Sequence, residues 1–255
     1  MIRACGISDV GRVRKTNEDT FVADAEVGLF AVADGMGGHA AGQVASRLAL
    51  ETVASFIRRS ATDTDFSWPY GLEQSMSLEG NRLRTAIHLA NRRVFRTAES
   101  TDDYSGMGTT IVGLLMNGPR ISIAHVGDSR LYLLSDRGLL QLTHDDSWAA
   151  TILSQDASLT PEDIARHPMR NVLTNVLGAR EQVEVHLRER GLRGGEALLL
   201  CSDGLYGVLP LEAMQQILET VADVNVAAQT LVDRALEAGS RDNVTALVVR
   251  YEADR

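Results

Sequence analysis

Only two cysteines occur in 255 residues, Cys5 and Cys201, and neither sits in a CxxC or Cys/His spacing. That excludes a disulfide framework and a cysteine-held zinc site, and both thiols are expected as small buried apolar side chains. Lysine and arginine form no run and the net charge is −9, so the electrostatic footprint of a nucleic-acid binder is missing. No stretch approaches the roughly 18 apolar residues of a membrane span. The start, Met1-Ile2-Arg3-Ala4, lacks the charged-then-apolar order of a secretory leader. A cytoplasmic, monomeric chain with neither nucleic acid nor membrane as partner is the expectation. No segment reads as a linker, so residues 1–255 are expected as one domain. What is present is ordinary globular composition, 44% hydrophobic and 23% charged, enough to bury a core.

Two segments carry helical periodicity. One runs through Ala41, Val44, Ala45, Leu48, Val53, Phe56 and Ile57, the other through Leu83, Ala86, Ile87, Ala90, Val94 and Ala98. Between them, about 60 to 78, Trp68-Pro69 and Gly71 break the pattern and predict a long loop. Strands are predicted at 21–24, 29–34, 109–116, 120–126, 130–134, 184–188, 197–201 and 245–249. Asn117-Gly118 marks a hairpin turn between two of them. Residues 144 to 178 differ in character and hold a helix start at Thr160-Pro161-Glu162-Asp163. Further helices are predicted near 211–221 and 226–238. Helices in separated pairs among runs of strands argue for an α+β class.

The informative residues are acidic and stand where predicted strands end: Glu18 and Asp19, Asp34-Gly35, Asp128-Ser129, Asp203-Gly204 and Asp242-Asn243. Each alone is ordinary turn chemistry. Yet the apolar runs at 29–33 and 198–201 deliver Asp34 and Asp203 straight from a core, where a carboxylate must be hydrated, paired or metal-bound. Oxygen ligands with no His or Cys cluster beside them suit Mg²⁺ or Mn²⁺ better than Zn²⁺.

Taken in order, Arg14-Lys15-Thr16-Asn17-Glu18-Asp19, Asp34-Gly35-Met36-Gly37-Gly38-His39, Gly108-Thr109-Thr110, Val126-Gly127-Asp128-Ser129-Arg130, Ser202-Asp203-Gly204-Leu205 and Arg241-Asp242-Asn243-Val244-Thr245 resemble the motif series of the type 2C metal-dependent protein phosphatases in their compact bacterial form. The resemblance implies a four-layer α-β-β-α sandwich of two antiparallel sheets flanked by helix pairs. A small helical flap is implied at about 144–178. It also implies two Mn²⁺ or Mg²⁺ ions per chain. Asp34 would bridge them, with the Gly35 carbonyl, Asp203 and Asp242 as further ligands. Glu18 and Asp19 would act through metal-bound waters, Asp128 with Asp203 would form a weaker third site, and Arg14 would hold the phosphate. Two ions sharing a water can lower its pKa to around 7 and clamp the phosphoryl oxygens, and Arg binds phosphate bidentately.

Three positions depart from the family pattern. Met36 replaces the His proposed as general acid in many relatives, which leaves His39 or a water for that role. Gln43 stands where Glu is usual, and Asp146 where Thr143-His144-Asp145-Asp146-Ser147 usually has His. Trp148, Ile152 and Leu153 of the flap are expected to pack on their own domain. The function read from all this is a serine/threonine phosphoprotein phosphatase acting on phosphorylated proteins and opposing a kinase. Its rivals are a small-molecule or nucleotide phosphatase using the same ions, and a catalytically silent scaffolding member.

Overall fold

The run Leu29-Phe30-Ala31-Val32-Ala33 is wholly buried, and its alternate residues go to opposite sides. Leu29, Ala31 and Ala33 join a core beneath helices, while Phe30 and Val32 join a core between two sheets. A strand covered on both faces reads as a continuous apolar run. The stretch 197–201 repeats the arrangement, with Leu198 and Leu200 between the sheets and Ala197, Leu199 and Cys201 under a second helix layer.

The computed structural model describes residues 1–38, 41–63, 68–155, 160, 167–170 and 172–252. Among them the strands are β1 (Ile2–Asp9), β2 (Asp19–Asp24), β3 (Leu29–Met36), β4 (Gly108–Thr109), β5 (Ile111–Asn117), β6 (Arg120–Val126), β7 (Arg130–Ser135), β8 (Gly138–Gln141), β9 (His186–Gly191), β10 (Ala197–Cys201) and β11 (Val244–Tyr251). The helices are α1 (Ala41–Thr62), α2 (Leu78–Ser100), α3 (Trp148–Gln155), α4 (Asp203–Tyr206), α5 (Leu211–Thr220) and α6 (Val224–Glu237). One sheet has the order β1-β11-β10-β7-β8 and the other β2-β3-β5-β6-β9, with β4 added on β3. The strand pairs are antiparallel. Helices α1 and α2 cover the second sheet, and α5 and α6 cover the first. The α+β class and the α-β-β-α layering are therefore as expected.

Several details differ from the sequence reading. Helix α2 starts at Leu78 because the Ser77 hydroxyl accepts the Gly80 N–H at 3.0 Å, a capping arrangement that the apolar pattern does not register. Helix α6 likewise starts at Val224, where Asp223 caps two N–H groups. Strands β1 and β8 were not expected. In the hairpin, Asn117 pairs with Arg120, so the turn is Gly118-Pro119; Gly118 takes φ 57° and Pro119 is barred from positive φ by its ring. Cys201 is buried, but Cys5 on the edge strand β1 is only half-buried.

The flap region begins with α3, which the sequence does not signal, whereas the helix start at Thr160-Pro161-Glu162-Asp163 lies outside the described residues apart from Thr160. Its base is fastened: the Trp148 N–H donates to the Val172 carbonyl at 2.8 Å, Ser147 bridges Leu173, and the Trp148 ring stacks on His167 at 4.0 Å. Trp148 thus packs within the flap itself. No helix of the described residues is long and apolar enough to cross a membrane.

Candidate functional site

The β2–β3 register sets Asp19 directly opposite Asp34. Like charges so placed destabilise a ladder, so this pair calls for protons or a cation. From the other sheet, β10 delivers Asp203 into the first turn of α4, and Asp242 precedes β11, the neighbour of β10. Asp128 sits in the turn between β6 and β7. Arg14, Glu18, Asp34, Gly35, Asp128, Asp203 and Asp242 line one cleft. Asp19 is not part of its lining; it is buried, 6% exposed.

Few protein groups answer this negative charge. Arg14 donates from Nη2 to Asp242 at 2.7 Å. Asp19 Oδ2 accepts the hydroxyls of Ser202 and Thr245, each at 2.6 Å. Its Oδ1, and Oδ1 of Asp203, are buried without a hydrogen-bond partner, which is uncommon for buried polar atoms. Burial, and then the neighbouring Asp19, Asp203, Asp128 and Asp242, push the Asp34 carboxyl well above the usual range. Burial also drives Asp19 up to about 7, against the two hydroxyl bonds and with help from Asp203 and Asp242. Asp128 is raised to about 7 by burial, then by Asp203 and Asp145. Asp203 is raised by burial and Asp242, and Glu18 mainly by burial. Such a cluster suits a cation by charge and by donor chemistry: oxygen ligands only, of the kind hard divalent ions take.

The backbone beneath the cluster is fixed by residues whose motifs were legible but whose roles were not. Thr110 donates its N–H to the Asp34 carbonyl at 2.8 Å and accepts the Asp34 N–H on its hydroxyl at 3.1 Å; Thr109 Oγ1 adds a bond to the same carbonyl. Asn243 accepts the Glu18 N–H at 2.8 Å and donates to the Val10 and Thr16 carbonyls, pinning the loop that carries Arg14. A Cβ on Gly35 would collide with the Gly42 carbonyl, and one on Gly204 with the Asn243 carbonyl. Glycine is required at both by close backbone approach.

The flap side of the cleft holds groups that spacing did not reveal. Arg130 makes a bidentate pair with Asp145 at 2.9 and 2.7 Å. Its guanidinium lies 3.6 Å from the Tyr206 ring centroid, and Tyr206 donates to the Asp128 carbonyl at 3.0 Å. Asp146, in the place of the family's His, is buried. Its Oδ2 accepts the Gly127 N–H at 3.0 Å and Asn175 Nδ2 at 2.8 Å, while Oδ1 faces His186 Nε2 at 2.8 Å. It joins the Asp128 turn, the flap base and β9. Met36 lines the cleft; His39 lies outside the described residues.

Comparison with known proteins gives concordant matches. The family model described as protein phosphatase 2C matches residues 12–238. The serine/threonine protein phosphatase PstP of Mycobacterium tuberculosis is 38% identical over 97% of this chain, which spans 45% of that relative's length. The serine/threonine phosphatase stp of Listeria monocytogenes is 36% identical, with 96% of this chain and 94% of the relative covered. The solved catalytic domain of PstP in complex with two manganese ions superposes with a TM-score of 0.81 at 36% identity, covering 98% of this chain and 97% of that one.

Proposed function

This chain belongs to the protein phosphatase 2C family, and from that premise we propose that it is a serine/threonine phosphoprotein phosphatase working with two Mn²⁺ or Mg²⁺ ions. The observation that carries this reading is the convergence of Asp34, Asp128, Asp203 and Asp242 in one cleft with buried carboxylate oxygens left unpartnered. Divalent ions fit those orphaned oxygens. Asp34, the Gly35 carbonyl, Asp203 and Asp242 would hold two of them, Asp128 with Asp203 a weaker third, and Glu18 and Asp19 would act at one remove. When bound, such ions supply a water acidic enough to serve as hydroxide near neutral pH and a clamp for phosphoryl oxygens.

The chain's own groups do the positioning. Arg14 carries five N–H donors; its bond to Asp242 aims the guanidinium over the acidic cluster and leaves donors for a phosphate. Ser202 and Thr245 fix Asp19, and Thr109 and Thr110 fix Asp34. Met36 has no proton to give, so His39 or a water is proposed to protonate the leaving oxygen. Residues 1–255 are proposed to act as one monomeric domain with a flap at 144–178, in the cytoplasm, on phosphorylated proteins and opposing a kinase. The family match over 12–238 and the unpaired thiols support that reading.

The test is phosphate release from a phosphothreonine peptide with Mn²⁺ or with EDTA, beside a matched phosphotyrosine peptide and a nucleotide. Mn²⁺-dependent release favouring phosphothreonine and lost in Asp203→Asn is expected. Preference for the nucleotide would replace the substrate class, and no release from any of the three would leave a scaffolding role.

A further inference from the structure

Away from the cleft, three imidazoles meet that the proposed reaction does not use. His125 on β6 is the direct cross-strand partner of His186 on β9, so both rings stand on one face of the sheet, 4.9 Å apart and stacked at 28°. That face is the inter-sheet one, since Ile123 and Ile121, two and four residues before His125, belong to the core between the sheets. His144, arriving just after β8, closes the group with its ring 4.9 Å from His125 and 4.4 Å from His186. One ring nitrogen from each lies within 4.8 Å of the others.

The hydrogen bonds decide which nitrogens are free. His125 Nε2 faces the His144 carbonyl at 2.8 Å, and a carbonyl only accepts, so Nε2 carries the proton and Nδ1 the lone pair. His186 Nε2 faces Asp146 Oδ1 at 2.8 Å, which assigns its tautomer the same way. An imidazole whose far N–H is held by a carbonyl or carboxylate is the usual form of a metal-ligating histidine. Glu184 brings a carboxylate to 4.0 Å from His186 Nδ1 as a fourth donor.

We propose that His125, His144 and His186 form a transition-metal site, separate from the acidic cleft, that takes Zn²⁺ or a similar borderline ion. Nitrogen donors favour such ions over Mg²⁺ and Mn²⁺. Ligand nitrogens around tetrahedral zinc stand about 3.3 Å apart for a Zn–N length of about 2.0 Å. The cluster must therefore tighten, and the exposed His144 is the member free to rotate inward.

The experiment is calorimetric titration of the full chain with Zn²⁺ in saturating Mg²⁺, comparing wild type with His144→Ala and Asp146→Asn. Wild type is expected to bind one more equivalent than His144→Ala, and Asp146→Asn to weaken that equivalent about 10-fold or more through loss of the outer partner. His144 is exposed, so its removal leaves the fold intact, and circular dichroism checks this. Co²⁺ in place of Zn²⁺ should give a tetrahedral absorption band in wild type alone. Equal Zn²⁺ stoichiometry and affinity in wild type and His144→Ala would overturn the site.

Discussion

The two walls of the cleft use the same residue type to opposite ends. On the wall built by β2, β3, β10 and β11, Asp19 opposes Asp34 across a strand pair and buried oxygens of Asp19 and Asp203 go unpartnered. On the flap wall, Asp145 is gripped by Arg130 and Asp146 by Gly127, Asn175 and His186. The first set is unfinished by protein alone, and the second is complete. A carboxylate that raises the energy of the bare fold is one reserved for something that arrives later, because burying charge unpaired is costly.

Substitution can break or sharpen this contrast. The largest effect is expected from Asp203→Asn: turnover on a phosphothreonine peptide should fall by about 10³-fold, several kcal/mol of transition-state stabilisation. Its melting temperature in EDTA should be unchanged or higher, since a repulsive charge is gone; a clear drop would mean that Asp203 is structural. Asp146→Ala should behave oppositely, losing about 2–3 kcal/mol of stability in denaturant titration because it strands buried donors. Next comes Arg14→Lys, for which kcat/KM should fall about 10-fold as the planar fork becomes a point charge.

The smallest effect concerns pH. Asp19 and Asp128 have folded pKa values raised to about 7, above the roughly 3.9 of an unfolded chain. Between those values the folded state binds more protons, so stability of the metal-free protein falls as pH rises. Melts in EDTA should show higher stability at pH 5 than at pH 8, with the difference reversed by saturating Mg²⁺, which protons displace at low pH. Identical melts at both pH values would count against a proton-loaded cluster.

Much of the doubly covered sheet was legible because strands buried on both faces leave unbroken apolar runs, and the acidic residues at the ends of those runs marked the cleft. Strand β1 was not, because an edge strand shows mixed burial along its length and offers no clean alternation. The task of Asp146 was hidden for another reason: its partners Gly127, Asn175 and His186 lie 19, 29 and 40 residues away, beyond any local spacing rule. The histidine cluster is invisible in the same way, since His125, His144 and His186 share a neighbourhood only once β6, β9 and the segment after β8 are assembled.

The fastening at the flap base has a consequence for how such chains can vary. With Ser147 bridged to Leu173 and Trp148 bonded to Val172, the two ends of this region are held together at its base whatever lies between them. Because loop-closure cost grows only slowly with length, insertions and deletions between these fastened ends are expected to cost the sandwich little stability, while the acidic floor of the cleft stays under separate selection.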